Sequence, residues 1–249
     1  MDTTCILIAA YKPEQSCRTT IDELVEVGFS NILVVDDGSG QDYQSFFHSI
    51  GELPEVKVLT HAANQGKGRA IKTAFHYILN DCPHIQKIIT ADADGQHLTK
   101  DICNLLKSSF EYNGIGLGVR NFDQKHVPSR SRFGNKLTRN LFRYTTGIGI
   151  TDTQTGLRLF LRKQLPWLLS IKGEAFDYEI NMLAATKDEG IPIYEVEIET
   201  VYTNNNESSH FQPIKSSMKI YQVFLKFALS GVTSFGLDMA LFALFIWLC

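Results

Sequence analysis

Lys87-Ile88-Ile89-Thr90-Ala91-Asp92-Ala93-Asp94-Gly95-Gln96-His97 decides the fold. A short apolar run ends abruptly in two carboxylates one residue apart. Inside a strand, positions i and i+2 share a face. Asp92 and Asp94 can therefore hold one hard divalent cation, Mg²⁺ or Mn²⁺, against a diphosphate. The competing use of the same residues is an Asx-turn that caps the next helix. His97 reads as a packing or hydrogen-bonding residue rather than a metal ligand.

Working outward, other short apolar runs end in the same way. Strands are expected at Cys5–Ala10, Asn31–Val35, Lys57–Thr60, Lys87–Ala91 and Gly116–Val119. Amphipathic stretches at Gln15–Val27, Tyr43–Ile50, Gly68–Leu79 and Lys100–Tyr112 alternate with them. In the first of these, Ile21, Leu24 and Val25 keep helical spacing and Gly28 suits the C-terminal cap. This alternation predicts an α/β chain with a doubly wound, mostly parallel sheet. Ligands of such sheets lie beyond the carboxyl ends of the strands. Each strand runs out into polar residues: Tyr11-Lys12-Pro13-Glu14, Asp36-Asp37-Gly38-Ser39, Asn64-Gln65-Gly66-Lys67-Gly68, the acidic pair, and Arg120.

Each of these has a bland and a chemical reading. Asp37 can accept from a base N–H or a ribose hydroxyl, or belong to an ordinary βα turn. Gly66-Lys67-Gly68 fails the Walker pattern; Lys67 either faces a phosphate or only leads into the helix. Arg120 suits a diphosphate through its planar fork, or is solvated surface. Asp152, in Thr151-Asp152-Thr153-Gln154-Thr155-Gly156, is a candidate base or orienting group. Asp177 and Glu179 open another helix, where acidic residues also favour the macrodipole. The basic helix Ser129–Thr146 suits an anionic lipid surface or an ordinary solvated face.

Charge excludes some classes. The 249 residues carry 24 Lys+Arg and 27 Asp+Glu, a net −3, against a bulk nucleic-acid binder. The 5 cysteines form no CxxC pair, a pattern that does not suggest a disulfide framework or a zinc site and fits a reducing compartment. No secretory signal is expected, because Cys5–Ala10 reads as a strand. From Val223 to Cys249 the chain runs 27 residues with Lys226 and Asp238 the only charges, long enough for a membrane helix. The expected division is a catalytic domain at 1–212, an amphipathic juxtamembrane segment at 213–222 and a membrane helix at 223–249.

The order of these motifs resembles family 2 glycosyltransferases of the polyprenyl-phosphate type, such as dolichol-phosphate mannose synthases. The resemblance runs from about Cys5 to Tyr202. It rests on Tyr11 in IAAYKPE, Val35 and Asp37 in VVDDGS, the DADGQH run, Arg120 and the DTQTGLRLF run. It implies a GT-A-like fold, a nucleotide-diphosphate sugar donor and a polyprenyl phosphate acceptor. It implies a nucleotide site of Ala9, Tyr11, Glu14, Val35, Asp37, Lys67, Asp92 and Ala93, and a metal held by Asp92, Asp94 and Gln96. Catalytic roles then fall to Asp94, Asp152 and Arg120. The family often has Pro where Ala9 stands and Asn-Glu where Lys12-Pro13 stands; Glu14 is the substitute in this chain. The apolar C-terminal stretch looks like the first helix of a GtrA-like domain, which implies a membrane lipid partner, a cytoplasmic catalytic domain at the inner membrane, and a homo-oligomer through the membrane part. The expected reaction is inverting transfer to a lipid phosphate. The rivals are transfer to a sugar hydroxyl, a non-catalytic sugar-nucleotide-binding membrane protein, and a nucleotidyltransferase; the last would carry a glycine-rich basic loop where Tyr11-Lys12-Pro13-Glu14 stands.

Overall fold

The computed structural model describes residues 2–122, 129–199 and 233–239. Alternation of apolar residues with a period of two builds the centre. Ile6 and Ile8 of β1 (Thr4–Ala10) face one helical layer, whereas Cys5 and Leu7 face the other. β2 (Ile32–Asp36) repeats this, with Ile32 and Val34 on the first side and Leu33 and Val35 on the second. Such strands are buried on both faces and need helices on both.

Among the described residues the sheet has seven strands. The others are β3 (Val56–Thr60), β4 (Lys87–Asp92), β5 (Ile115–Arg120), β6 (Arg158–Leu161) and β7 (Ile193–Ile198), in the order β3-β2-β1-β4-β6-β5-β7. α1 (Gln15–Glu26), α2 (Gln44–Gly51) and α4 (Thr99–Ser108) cover one face. α3 (Lys67–Asp81), α6 (Leu165–Ser170) and α7 (Asp177–Glu189) cover the other, joined by Phe142 of α5 (Ser129–Thr146). The chain order reverses between β1 and β4, so their carboxyl ends flank the crevice where such sheets bind ligands.

The sheet is mixed rather than purely parallel. β6 runs antiparallel to both β4 and β5. This strand brings Gly156 and Arg158 back to the end of β4 that carries Asp92. Opposite the site, the guanidinium of Arg162 donates to the carbonyls of Ile78, Leu79, Cys82 and Ile85, at 2.7–3.2 Å. It closes the C-terminal turn of α3, whose carbonyls lack helical partners.

The chain divides into two compact units, Met1–Ser208 and Ser209–Cys249. In the second, only a short helix over 233–239 is described, and its residues are exposed. Among the described residues no helix is long and apolar enough to cross a membrane. The segment expected at 213–222, and most of that expected at 223–249, lie outside the described residues.

Candidate active site

Asp92 ends β4 opposite Ala9 of β1. Its carboxylate is held by the Lys67 ammonium, Nζ to Oδ1 2.6 Å. Lys67 also donates to Oε1 of Glu179 at 3.0 Å. α3 and α7 thus meet β4 through one cation. Burial alone would lower the Lys67 pKa, but Asp92 and Glu179 outweigh it and raise the ammonium well above its ordinary value. For Asp92, burial acts to raise the pKa; Lys67 and then His97 overcome it, so the carboxyl stays well below the usual carboxylate range.

His97 holds Asp92 through its backbone. Its Nδ1 accepts the Asp92 backbone N–H at 3.0 Å, which leaves the ring proton on Nε2, 3.8 Å from Oδ2 of Asp92. Asp94 accepts the Gln96 N–H at 3.0 Å. Its carboxyl is raised above its ordinary value, first by burial and then by the neighbouring Asp92 charge. Gln96 lines the same small cleft as Asp92, His97, Arg120 and Gly156. A Cβ at Gly156 would collide with both oxygens of Asp92; glycine is needed there for close approach.

Arg120 ends β5 with Asp152 as its partner. Nε donates to Oδ2 at 2.8 Å and Nη2 to Oδ1 at 3.2 Å, a fork-on-fork pair. Asp152 also accepts from the Gln154 and Arg120 backbone N–H groups, at 3.1 and 3.4 Å. It is 1% exposed. Every acceptor direction of this carboxylate is met, so Asp152 orients Arg120 and is not placed to receive a substrate proton. Of the two roles open to Asp152, base or orienting group, this geometry favours the second.

Other sequence expectations also shift. Val35 is wholly buried in the core, so its side chain cannot touch a nucleotide. Asp37 is turned inward: its oxygens accept from the Gln65 and Gly66 N–H groups at 2.9 and 2.8 Å, and Oδ1 lies 2.8 Å from Nδ1 of His61. His61 reaches on to Thr73 at 2.9 Å. Asp37 therefore fixes the loop that delivers Lys67, and its expected contact with a ligand is not what its geometry supplies. Ala9 packs half-buried on the core. Tyr11 and Ala93 are half-buried at the rim, and Glu14 is exposed at the start of α1. Next to Tyr11, Lys12 adopts φ +50°, a left-handed backbone held by its N–H on Ser39 at 2.8 Å.

Arg158 escaped the sequence reading. It is 1% exposed and donates to the carbonyls of Thr155 and Glu179, each at 2.8 Å. It ties β6 to α7 beneath the Asp92–Lys67–Glu179 chain. Its signal in the sequence was a lone arginine inside an apolar run, Leu157-Arg158-Leu159-Phe160.

Residues 5–165 match the model of the glycosyl transferase family 2. The chain belongs to that family. It is a glycosyltransferase with a GT-A-like fold. An uncharacterized protein of Methanocaldococcus jannaschii is 32% identical over 212 residues, spanning 83% of this chain and 85% of its own. The UDP-N-acetylglucosamine–dolichyl-phosphate N-acetylglucosaminyltransferase of Methanococcus voltae is 28% identical, spanning 80% of this chain and 85% of its own. Glucosyl-3-phosphoglycerate synthase of Mycobacterium tuberculosis, solved with Mn²⁺ and UDP, superposes with a TM-score of 0.63 at 15% identity, over 81% of this chain and 72% of that one. That likeness is one of fold.

Proposed function

We propose that this glycosyltransferase moves a hexosyl unit, with inversion, from a nucleotide-diphosphate sugar to a polyprenyl phosphate. The reaction takes place at the cytoplasmic face of the cell membrane, with the apolar 223–249 segment as its attachment to the bilayer. The observation that carries the acceptor is the engagement of Asp152 and Glu179 by Arg120 and Lys67. A hydroxyl acceptor needs a base in reach of its proton. A phosphate monoester, with a second pKa of about 6, is already anionic and needs only to be positioned. The Methanococcus voltae relative, named for transfer to dolichyl phosphate, supports the same acceptor class.

A divalent cation fits the donor side. Among the described residues no three His, Cys, Asp or Glu side chains gather as a metal cage. Mg²⁺ or Mn²⁺ held by one or two carboxylates takes its remaining ligands from phosphate and water. Burial and, after it, the Asp92 charge raise the Asp94 carboxyl; the second of these is what such an ion would relieve. Asp92 and Asp94 would hold it, with Gln96 alongside. When bound, the ion neutralises charge on the leaving diphosphate. The chain does the rest: Lys67 fixes the Asp92 carboxylate and His97 its backbone, and Asp152 aims Arg120 at the rim where the phosphates would lie.

The test is to supply membranes containing the protein with labelled UDP- and GDP-sugars and polyprenyl phosphate. A glycolipid that forms with metal, disappears with chelator and fails to form with Asp94→Ala is expected. No lipid product from any donor would overturn the proposal.

A further inference from the structure

α5 presents two parallel stripes to solvent. Phe133, Leu137 and Tyr144 are 70%, 43% and 90% exposed. At 3.6 residues per turn they fall on one line. Beside them run Arg132, Lys136, Arg139 and Arg143, spaced i, i+4, i+7 and i+11; Lys136 and Arg143 are exposed, Arg139 is half-buried, and Arg132, also half-buried, donates from Nε to the Phe122 carbonyl at 3.2 Å. The inner side is fixed by Phe142 and Thr138, both buried, and Lys187 closes the helix end on the Thr146 carbonyl at 3.0 Å. The helix contains no acidic residue. A solvated helix has no use for three large apolar side chains turned outward.

We propose that the outer face of α5 docks on an anionic lipid surface, with Phe133, Leu137 and Tyr144 entering the headgroup boundary and the basic stripe on lipid phosphates. Interfacial helices combine these features: aromatic and leucine side chains on one strip, Lys and Arg on the next, and low net hydrophobicity. A second copy of this chain is the poorer occupant. Symmetric pairing would set one basic stripe near another. α5 belongs to the excursion from β5 to β6 that carries Arg120 at one end and Asp152 at the other. Docking it therefore holds the Arg120 rim at the bilayer plane, where a lipid phosphate lies. In that sense the inference rests on the proposed acceptor.

The test uses the full chain in lipid nanodiscs. Cys82, Cys103 and Cys249 are replaced by serine; the thiols of Cys5 and Cys17, pushed up to about 12 by burial, do not compete for label. An environment-sensitive fluorophore is placed through Leu137→Cys. A control is placed through Lys163→Cys, beyond the end of β6 that pairs with the start of β4, away from Asp92. A lipid-borne quencher should quench the first and spare the second in phosphatidylglycerol-containing discs. Lys136→Gln with Arg143→Gln should lower the docked-to-undocked ratio on the order of 30-fold, about fivefold per charge. No quenching at position 137 would overturn the inference. So would quenching equal in neutral lipid and indifferent to the two substitutions, or shielding that grows with protein concentration and ignores the quencher. Transfer to polyprenyl phosphate measured in the same discs separates the two proposals. Normal transfer without quenching overturns the docking alone, and quenching without transfer overturns the acceptor alone.

Discussion

Gly156→Ala tests the site without touching a chemical group. The added Cβ would overlap both Asp92 oxygens. Restoring ordinary contact displaces the carboxylate by about 1 Å. Asp92 cannot yield freely, because Lys67 grips it at 2.6 Å and His97 holds its backbone at 3.0 Å. A misplacement of about 1 Å costs roughly 10²-fold in rate, about 2.7 kcal/mol of barrier. Overpacking costs about 2 kcal/mol of stability, a fall of about 4–8 °C in Tm for a domain of this size. Metal-dependent nucleotide binding by calorimetry and glycolipid formation should both fall, measured well below the melting temperature of the variant. Gly51→Ala is the control: its Cβ meets only Val58 Cγ2 at an ordinary 3.6 Å. A Gly156→Ala protein with turnover within about threefold of the parent would refute the reasoning, since rate would then not follow the position of Asp92.

Asp152→Asn should lower kcat/KM roughly 10- to 100-fold by loosening Arg120. Combined with Arg120→Gln it should add little, and the shape of the pH–rate profile should not change, as it would if a base were lost. Arg162→Met should cost about 2 kcal/mol, because its charged donor serves several carbonyls at once, with activity per folded molecule unchanged; a melting curve checks it. Cys5 and Cys17, pushed up to about 12 by burial, should resist a thiol reagent at pH 8 while Cys82 and Cys103 react, as read by mass spectrometry of the labelled peptides. Lys67→Met should destabilise the protein by an amount that depends on pH. Asp92 is lowered from its ordinary 3.8, so its contribution is present above that pH and fades as pH falls. Lys67 is raised from 10.5, so its contribution is present below that pH and fades as pH rises. The deficit of the variant should therefore be largest between these values and shrink towards acid, as followed by denaturant melts.

The parallel part of the sheet was legible because its strands announce themselves. β1 and β2 are uninterrupted apolar runs with opposite faces buried, and each ends in a polar turn. β6 was not, since its first residue is Arg158, and a buried arginine satisfied by carbonyls looks like surface in a sequence. β7 is an edge strand that alternates apolar and acidic residues over only six positions. At the site, the sequence located the rim but not the direction of its side chains. Asp37 and Asp152 occupy expected places, yet both point into the protein, because loops need partners for their backbone N–H groups as much as ligands do. The strand period turns the Val35 side chain into the core, so only its backbone is left to meet a ligand.

The charges at the rim explain why these inward carboxylates matter. Asp92, Asp94, Asp152 and Glu179 face Lys67, Arg120 and Arg158, four negative groups against three positive ones. The pairing is unequal. Lys67 serves Asp92 and Glu179 together, Arg120 is committed to Asp152, and Arg158 to carbonyls. Asp94 is the one left beside a like charge; burial first, and Asp92 second, raise its carboxyl. A divalent cation beside it would turn a local excess of one negative charge into an excess of one positive charge. That excess suits the leaving diphosphate of a donor, and it arises only where the cation lies. The fixed pairs keep Lys67 and Arg120 from collapsing onto Asp94. The network would thus leave the proposed metal position negative without unpairing the rest of the rim.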